Sequence, residues 1–230
     1  MLENAFEALK SYDWGTDPKT LKSIDEAVVS THGDAAARAE LEQQLAAALG
    51  TELSYDAKQF LCRKLMLVGT ATCVPTLAKF LSDEKLSHMA RYALERIPAP
   101  EAAAALRNGL AQVNGALKVG VIASLGVRQD DASVSPMGKL LSDSDPAVAQ
   151  AAAHGLAAIR TAAAADALAS NDTNPEAGAA VDDAKLACAE SLLGDGDKKA
   201  ALGLYKSLIG SSRKHVKLAA TRGMLECAKR

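Results

Sequence analysis

Leucine-type residues, most of them preceded by a small residue, return along this chain at a near-constant interval. The clearest unit is Leu86–Ile97, LSHMARYALERI, in which Ala90, Leu94 and Ile97 stand at i, i+4 and i+7 with Ala93 beside the central leucine. The same mark falls at Leu65, Leu94, Leu125, Leu156, Leu192 and Met224, in steps of 29, 31, 31, 36 and 32 residues. Five of the six marks follow Ala93, Ser124, Gly155, Ser191 and Gly223. A second ladder runs between them at Leu45, Leu77, Leu106, Met137, Leu168 and Tyr205. Four residues further on stand Leu49, Leu81, Leu110, Leu141 and Ile209, a spacing that puts each pair on one helix face; Asp172 breaks the series once. Two interleaved ladders predict two helices per unit. Units of this size bury their apolar faces only by stacking, so the pattern predicts an all-α solenoid.

The predicted helix pairs run over 34–68, 73–97, 100–127, 132–159, 162–193 and 197–229. Residues 1–31 read as an N-terminal capping pair, with Leu2, Phe6 and Leu9 on one helix and Leu21, Ile24 and Val28 on the next. Asp17-Pro18 opens the second of these, because Asp accepts hydrogen bonds from free amides and Pro gives up no needed donor at the first helical position. Tyr12 and Trp14 lie between the two helices and are expected to cover the end of the core. Gly50, Pro98, Pro100, Gly126, Asp145-Pro146 and Gly210 are expected between helices. The segment Asn171–Gly178, rich in Asn, Asp, Pro and Gly, lengthens one step of the ladder and reads as a protruding surface insertion, with a binding loop as the alternative. The whole chain, 1–230, thus reads as one α-solenoid domain.

Composition agrees with helices. Apolar residues make up 49% of the chain but aromatics only 3%, so Ala and Leu, the strongest helix formers, carry the core. Twenty-six Lys and Arg against 28 Asp and Glu leave a net charge of -2, which gives no global field to attract nucleic acid or an anionic membrane. The uncharged run Pro146–Ile159 contains Gln150 and His154 and is too short and too polar to span a bilayer. The start, MLENAFEALKSYDWG, lacks a basic stretch followed by an apolar core, so the expected location of the chain as it stands is cytoplasmic. A segment of a longer exported protein would read the same way. Cys62, Cys73, Cys188 and Cys227 show neither zinc-site pairs nor disulfide density and read as buried small apolar residues.

The stretch Asp145-Pro146-Ala147-Val148-Ala149-Gln150-Ala151-Ala152-Ala153-His154-Gly155-Leu156 resembles the second-helix signature of HEAT repeats, especially the short form of phycobilisome-lyase-like arrays. Val216-Lys217-Leu218-Ala219-Ala220 resembles it again near the C-terminus. The basic residue that usually follows the valine is kept at Lys217 and absent at Ala149. By pattern the resemblance runs over 34–229, as about six HEAT-like pairs. It implies a right-handed superhelix of antiparallel helix pairs whose second helices line the concave surface. It implies no activity, since HEAT arrays mostly serve as scaffolds.

Catalytic patterns are missing from the sequence. His32, His88, His154 and His215 form no HExxH and no His-Glu pair, the motif by which HEAT-type hydroxylases hold a di-iron centre. There is no GxxxxGK[ST], no GxSxG and no GxGxxG at a strand-to-helix turn. No catalytic residue, cofactor or metal site is therefore expected. Binding of nucleic acid would need a basic groove interleaved with aromatics, which the sequence lacks.

Candidate binding residues come from helix geometry. Two positions before each mark on the second helices, a rotation of about 200° turns the side chain away from the core. Those residues are Arg63, Tyr92, Ala123, His154, Glu190 and Arg222, expected in a row on the concave face. His88, Arg91 and Glu95 add polar groups beside Tyr92. A solvated polar face, with Arg91 and Glu95 in an ordinary helical ion pair, is the competing reading; Tyr and Arg are the residue types that most often anchor interfaces. The expected function is a non-enzymatic scaffold that takes a protein or peptide on this face. The alternatives are a bilin-lyase-like enzyme or chromophore chaperone, and an interaction segment of a larger exported bacterial protein.

Overall fold

Helix after helix follows the predicted boundaries in the computed structural model, which describes residues 2–229. The chain divides after Val113 into two compact units. The first contains α1 (Leu2–Ala8), α2 (Lys22–Ser30), α3 (Ala35–Leu49), α4 (Tyr55–Val68), α5 (Val74–Ala78), α6 (Ser87–Arg96) and α7 (Pro100–Leu110). The second contains α8 (Gly115–Val127), α9 (Val134–Leu140), α10 (Pro146–Ile159), α11 (Ala162–Ser170), α12 (Gly178–Gly194), α13 (Lys198–Leu208) and α14 (Lys214–Ala228). Among the described residues there is no strand.

Helix starts follow from local chemistry. Asp34, Ser54, Asp145, Thr161 and Asp197 each accept a hydrogen bond from a first-turn amide, at 2.9–3.3 Å, and so cap α3, α4, α10, α11 and α13. Pro100 and Pro146 occupy the first helical positions of α7 and α10. Asp17 accepts from the Lys19 amide at 3.0 Å and starts a 3-10 turn that leads into α2.

Packing has the layered order of an α-solenoid within each unit. In the first, α3 pairs with α4 and α5 with α6, while α4 lies on α6 and α3 and α7 lie on α5. In the second, the pairs are α9 with α10, α11 with α12, and α13 with α14; α8, α10, α12 and α14 stack in sequence, as do α9, α11 and α13. Both ladders form the core. Leu45, Leu77, Leu106, Met137, Leu168 and Tyr205 are fully buried, as are Leu65, Leu94, Leu125 and Leu156, with Leu192 nearly so. Each such leucine contributes roughly 1.5–3 kcal/mol by leaving water.

At Gly155 and Gly223 the small residue before the mark lets the two helices of a pair approach. A methyl group on Gly223 would come within 2.2–2.5 Å of the Tyr205 ring, and one on Gly155 within 2.8 Å of the Met137 sulfur. The two glycines stand opposite the two first-helix marks that are longer than leucine, so reach on one helix is matched by absence of a side chain on the other. Hydrogen bonds recur at the same period. Thr70 and Cys73 donate to Glu42, Gln129 donates to the Ala158 carbonyl at 3.2 Å, and Ser211 donates to Asp182 at 2.6 Å, each reaching into the neighbouring pair.

Several expectations are corrected. Trp14 is 91% exposed and covers nothing; instead the Tyr12 ring stands 6.3 Å from Phe60, and the Tyr12 carbonyl accepts from the Ser54 hydroxyl at 2.5 Å. Ile209 is 40% exposed, because Leu208, four residues after buried Leu204, takes the core position. Met224 is half-buried. Gly126 lies inside α8, where a methyl group would meet the Gly155 Cα at 3.2 Å; the left-handed residue after that helix is Gln129, with φ 51°. The segment Asn171–Gly178 does not protrude. The Asn174 amide donates to the Leu141 carbonyl at 2.7 Å, its side chain donates to Asp143 at 2.9 Å, Gln150 donates to the Glu176 carbonyl at 3.2 Å, and Ala177 is fully buried. Asp172, Pro175 and Glu176 stay exposed, but these hydrogen bonds hold the segment down on the preceding pair.

Two predictions follow from this packing. Gly223→Ala is expected to cost about 1–3 kcal/mol by overpacking, and in a Tyr205→Leu background the same change should cost at least about 1 kcal/mol less. Additive effects in urea unfolding would contradict the interlock. Leu125→Ala should lose about 2–5 kcal/mol, whereas Leu225→Ala, at a side chain 65% exposed, should stay within about 0.5 kcal/mol; similar losses at both sites would break the assigned register.

Candidate functional site

The second helices turn their candidate residues outward, as helix rotation requires. Arg63 on α4, His88 on α6, His154 on α10, Glu190 on α12 and Arg222 on α14 are exposed, and Tyr92, Arg91 and Glu95 on α6 are half-buried. In the first unit Arg63, His88 and Tyr92 come together. They line one groove of about 420 Å³ with Lys64, Met66, Leu67 and Met89. Arg63 and Leu67 are four apart on α4, and His88 and Tyr92 are four apart on α6, so each helix offers one face of a polar and an apolar group.

Two features give this groove its shape and charge. The Lys64 ammonium sits 2.5 Å from Asp25 of α2 and 4.6 Å from the centre of the Phe60 ring, so that cation is held and compensated. The Arg96 guanidinium stands 5.0 Å from the centre of the Tyr92 ring, an arrangement worth about 0.5–1 kcal/mol at an exposed site. Arg63 makes no ion pair with any described residue. Arg91 and Glu95 do not line the groove: burial lowers the Arg91 guanidinium from its ordinary value, and the Glu95 carboxylate opposes that shift.

In the second unit Glu190 and Arg222 line a separate groove of about 570 Å³ with Leu193, Leu218 and Glu226, floored by Tyr205 and Gly223. Burial pushes the Tyr205 phenol up, and the Glu190 carboxylate and Cys227 push the same way. The hydrogen bond from Lys229, at 2.7 Å, holds the Glu226 carboxyl below its usual range. His154 lines neither groove.

Sequence reasoning missed Lys64, Met66, Leu67 and Met89 in the first groove and Leu193, Leu218 and Glu226 in the second. One signal was present. Leu67 and Leu218 belong to neither ladder, and both are at least half exposed.

The buried polar groups serve the fold. Glu42 is 1% exposed and accepts from the Thr70 amide at 2.7 Å, the Thr70 hydroxyl at 2.8 Å and the Cys73 amide at 3.0 Å, which satisfies the turn leading into α5. Burial pushes the Cys62 thiol up to about 12 against the opposing Lys58 charge. Cys73 is also pushed up to about 12, chiefly by burial and then by the Glu42 carboxylate, and Cys188 to about 11 against Arg160. Among the described residues no three His, Cys, Asp or Glu side chains gather as a metal set, and no helix is long and apolar enough to cross a membrane.

The family model for HEAT repeats matches residues 113–181, which run from the turn before α8 into α12. The resemblance read over 34–229 is matched by this family model over that central part. No curated protein matches the chain. Among solved structures, an engineered protein is similar at 19% identity and a TM-score of 0.44, over 98% of this chain and 68% of its own. A designed armadillo repeat protein is similar at 16% identity and 0.43, over 99% and 100%. Human deoxyhypusine hydroxylase in complex with glycerol is similar at 14% and 0.36, over 98% and 95%. At these scores the likenesses carry no statement about what this chain does. The HEAT architecture is a repeat-based scaffold, in general non-catalytic.

The thiol environments yield a prediction. With a disulfide reagent at about pH 8, one thiol should react fast in the native protein, half-buried Cys227, and all four in denaturant. Cys227→Ser should remove the fast phase, and a second fast thiol would contradict the packing. Because Cys62, Cys73 and Cys188 are held protonated in the folded state, the stability they contribute is complete below their ordinary 9.0. It should be lost as pH rises toward 11 to 12, read as a falling Tm over that window.

Proposed function

We propose that this chain is a non-enzymatic HEAT-type scaffold that binds a protein or peptide segment in the groove between α4 and α6. The observation that carries the reading is the convergence of Arg63 and Tyr92, both selected by helix rotation, and of His88, chosen as a polar group beside Tyr92, on one groove floored by Met66, Leu67 and Met89. Tyr and Arg around an adaptable methionine surface are the groups that anchor interfaces. A partner here gains by covering Leu67, which is 50% exposed on an otherwise polar helix face. The groove is open and shallow, which suits an extended or helical segment better than an enclosed small molecule.

A random peptide library displayed on phage and panned on the protein tests this. The selected peptides should lose about tenfold or more in affinity, about 1.4 kcal/mol, on the Arg63→Ala, Tyr92→Ala double variant. Trp14→Ala, at the most exposed aromatic, should leave affinity unchanged. Equal binding by the double variant sinks the assignment to this groove.

A further inference from the structure

The charges around the α4/α6 groove are one-sided. Of its lining residues Arg63, Lys64 and His88 are basic or titrate to a cation, and none carries a carboxylate. Lys64 is already answered by Asp25. Arg63 and Arg96 are not: neither makes an ion pair with a described residue, and Arg96 instead lies over the Tyr92 ring. The Arg63 guanidinium in the groove lining and the Arg96 guanidinium over the Tyr92 ring therefore stand beside an apolar strip whose lining holds no carboxylate among the described residues. The second-unit groove differs, since Glu190 and Glu226 line it beside Arg222.

From this charge pattern we infer that the α4/α6 groove takes an acidic amphipathic peptide segment, one apolar face on Leu67 and Met89 and carboxylates on Arg63 and Arg96. The inference rests on the scaffold reading above and adds the chemistry of the partner. Guanidinium groups match carboxylates geometrically, with two parallel N–H donors to two oxygens. Burial of an apolar face supplies affinity, and the flanking charges supply selectivity and rate. Nucleic acid would meet the same cations, but a groove with a single aromatic ring and an apolar floor offers its bases one stacking surface and its backbone no continuous track.

The test uses three fluorescein-labelled peptides with one Leu/Met core spaced i, i+4 and flanks of Glu, Gln or Lys, together with a labelled oligothymidylate, titrated into the full chain by anisotropy. The Glu peptide should bind about tenfold or more tighter than the Gln peptide, and the advantage should shrink as salt rises from about 50 to about 300 mM. The Arg63→Glu, Arg96→Glu variant changes two exposed side chains and should retain the wild-type circular dichroism, with a Tm lower by no more than about 4 °C for the lost Arg96–Tyr92 contact. It should reverse the order, with the Lys peptide tightest. Gln or Lys peptides binding as tightly as Glu to the wild type overturn the inference, as does an unchanged preference in the variant or tighter binding of the oligothymidylate. If phage-selected peptides still depend on Arg63 and Tyr92 but carry no acidic bias, the partner chemistry fails while the scaffold reading stands. If no peptide of either kind depends on these residues, both fail.

Discussion

The contact on which the rest depends is that between a bulky side chain on the first helix of a pair and a residue with little or no side chain on the second. Tyr205 fills the space that Gly223 leaves, and Met137 the space that Gly155 leaves. Between stacked second helices the same device appears with no side chain on either partner, where Gly126 meets Gly155. Close approach at Gly126, Gly155 and Gly223 sets the rotation of α8, α10 and α14 about their own axes. With that rotation set, the residue two before the mark, Ala123, His154 or Arg222, points to solvent.

The two grooves are therefore a by-product of the stacking rather than a separate construction. Arg63 and Tyr92 share a groove because α4 lies on α6, and Glu190 and Arg222 share another because α12 lies on α14. The two grooves carry different charge since positions facing solvent are free of packing constraint. Polar chemistry inside the fold is spent on connections: Glu42 closes the turn before α5, and Asn174 ties the long α11–α12 connection onto the carbonyls of Leu141 and Asp143. Buried thiols held protonated well above neutral pH act as small apolar residues.

The particular errors of sequence reasoning share a cause. Ile209 was expected inside on an i+4 rule, but Leu208 satisfies the same rule counted from Leu204, and only the packed helix chooses between them. Gly126 reads as a helix terminator when its neighbours are counted along the chain; across to α10 it is a point of contact. Trp14 reads as a lid because it is large and apolar, yet no neighbouring element reaches it. A polar segment such as Asn171–Gly178 reads as a surface loop, though its backbone and side chains find partners on the preceding pair.

Helix class, the approximate helix ends and the identity of the core leucines were settled by the sequence itself, because they depend on the 3.6-residue turn and on a recurrence of thirty-odd residues, both readable along one dimension. The tertiary structure alone decided which outward residues share a groove, that Lys64 is neutralised by Asp25 while Arg63 pairs with no carboxylate among the described residues, and that Leu67 is an apolar residue left open beside them. Such facts depend on distances between helices far apart in the chain, and a side chain's rotation about its own helix carries no information about what stands across from it.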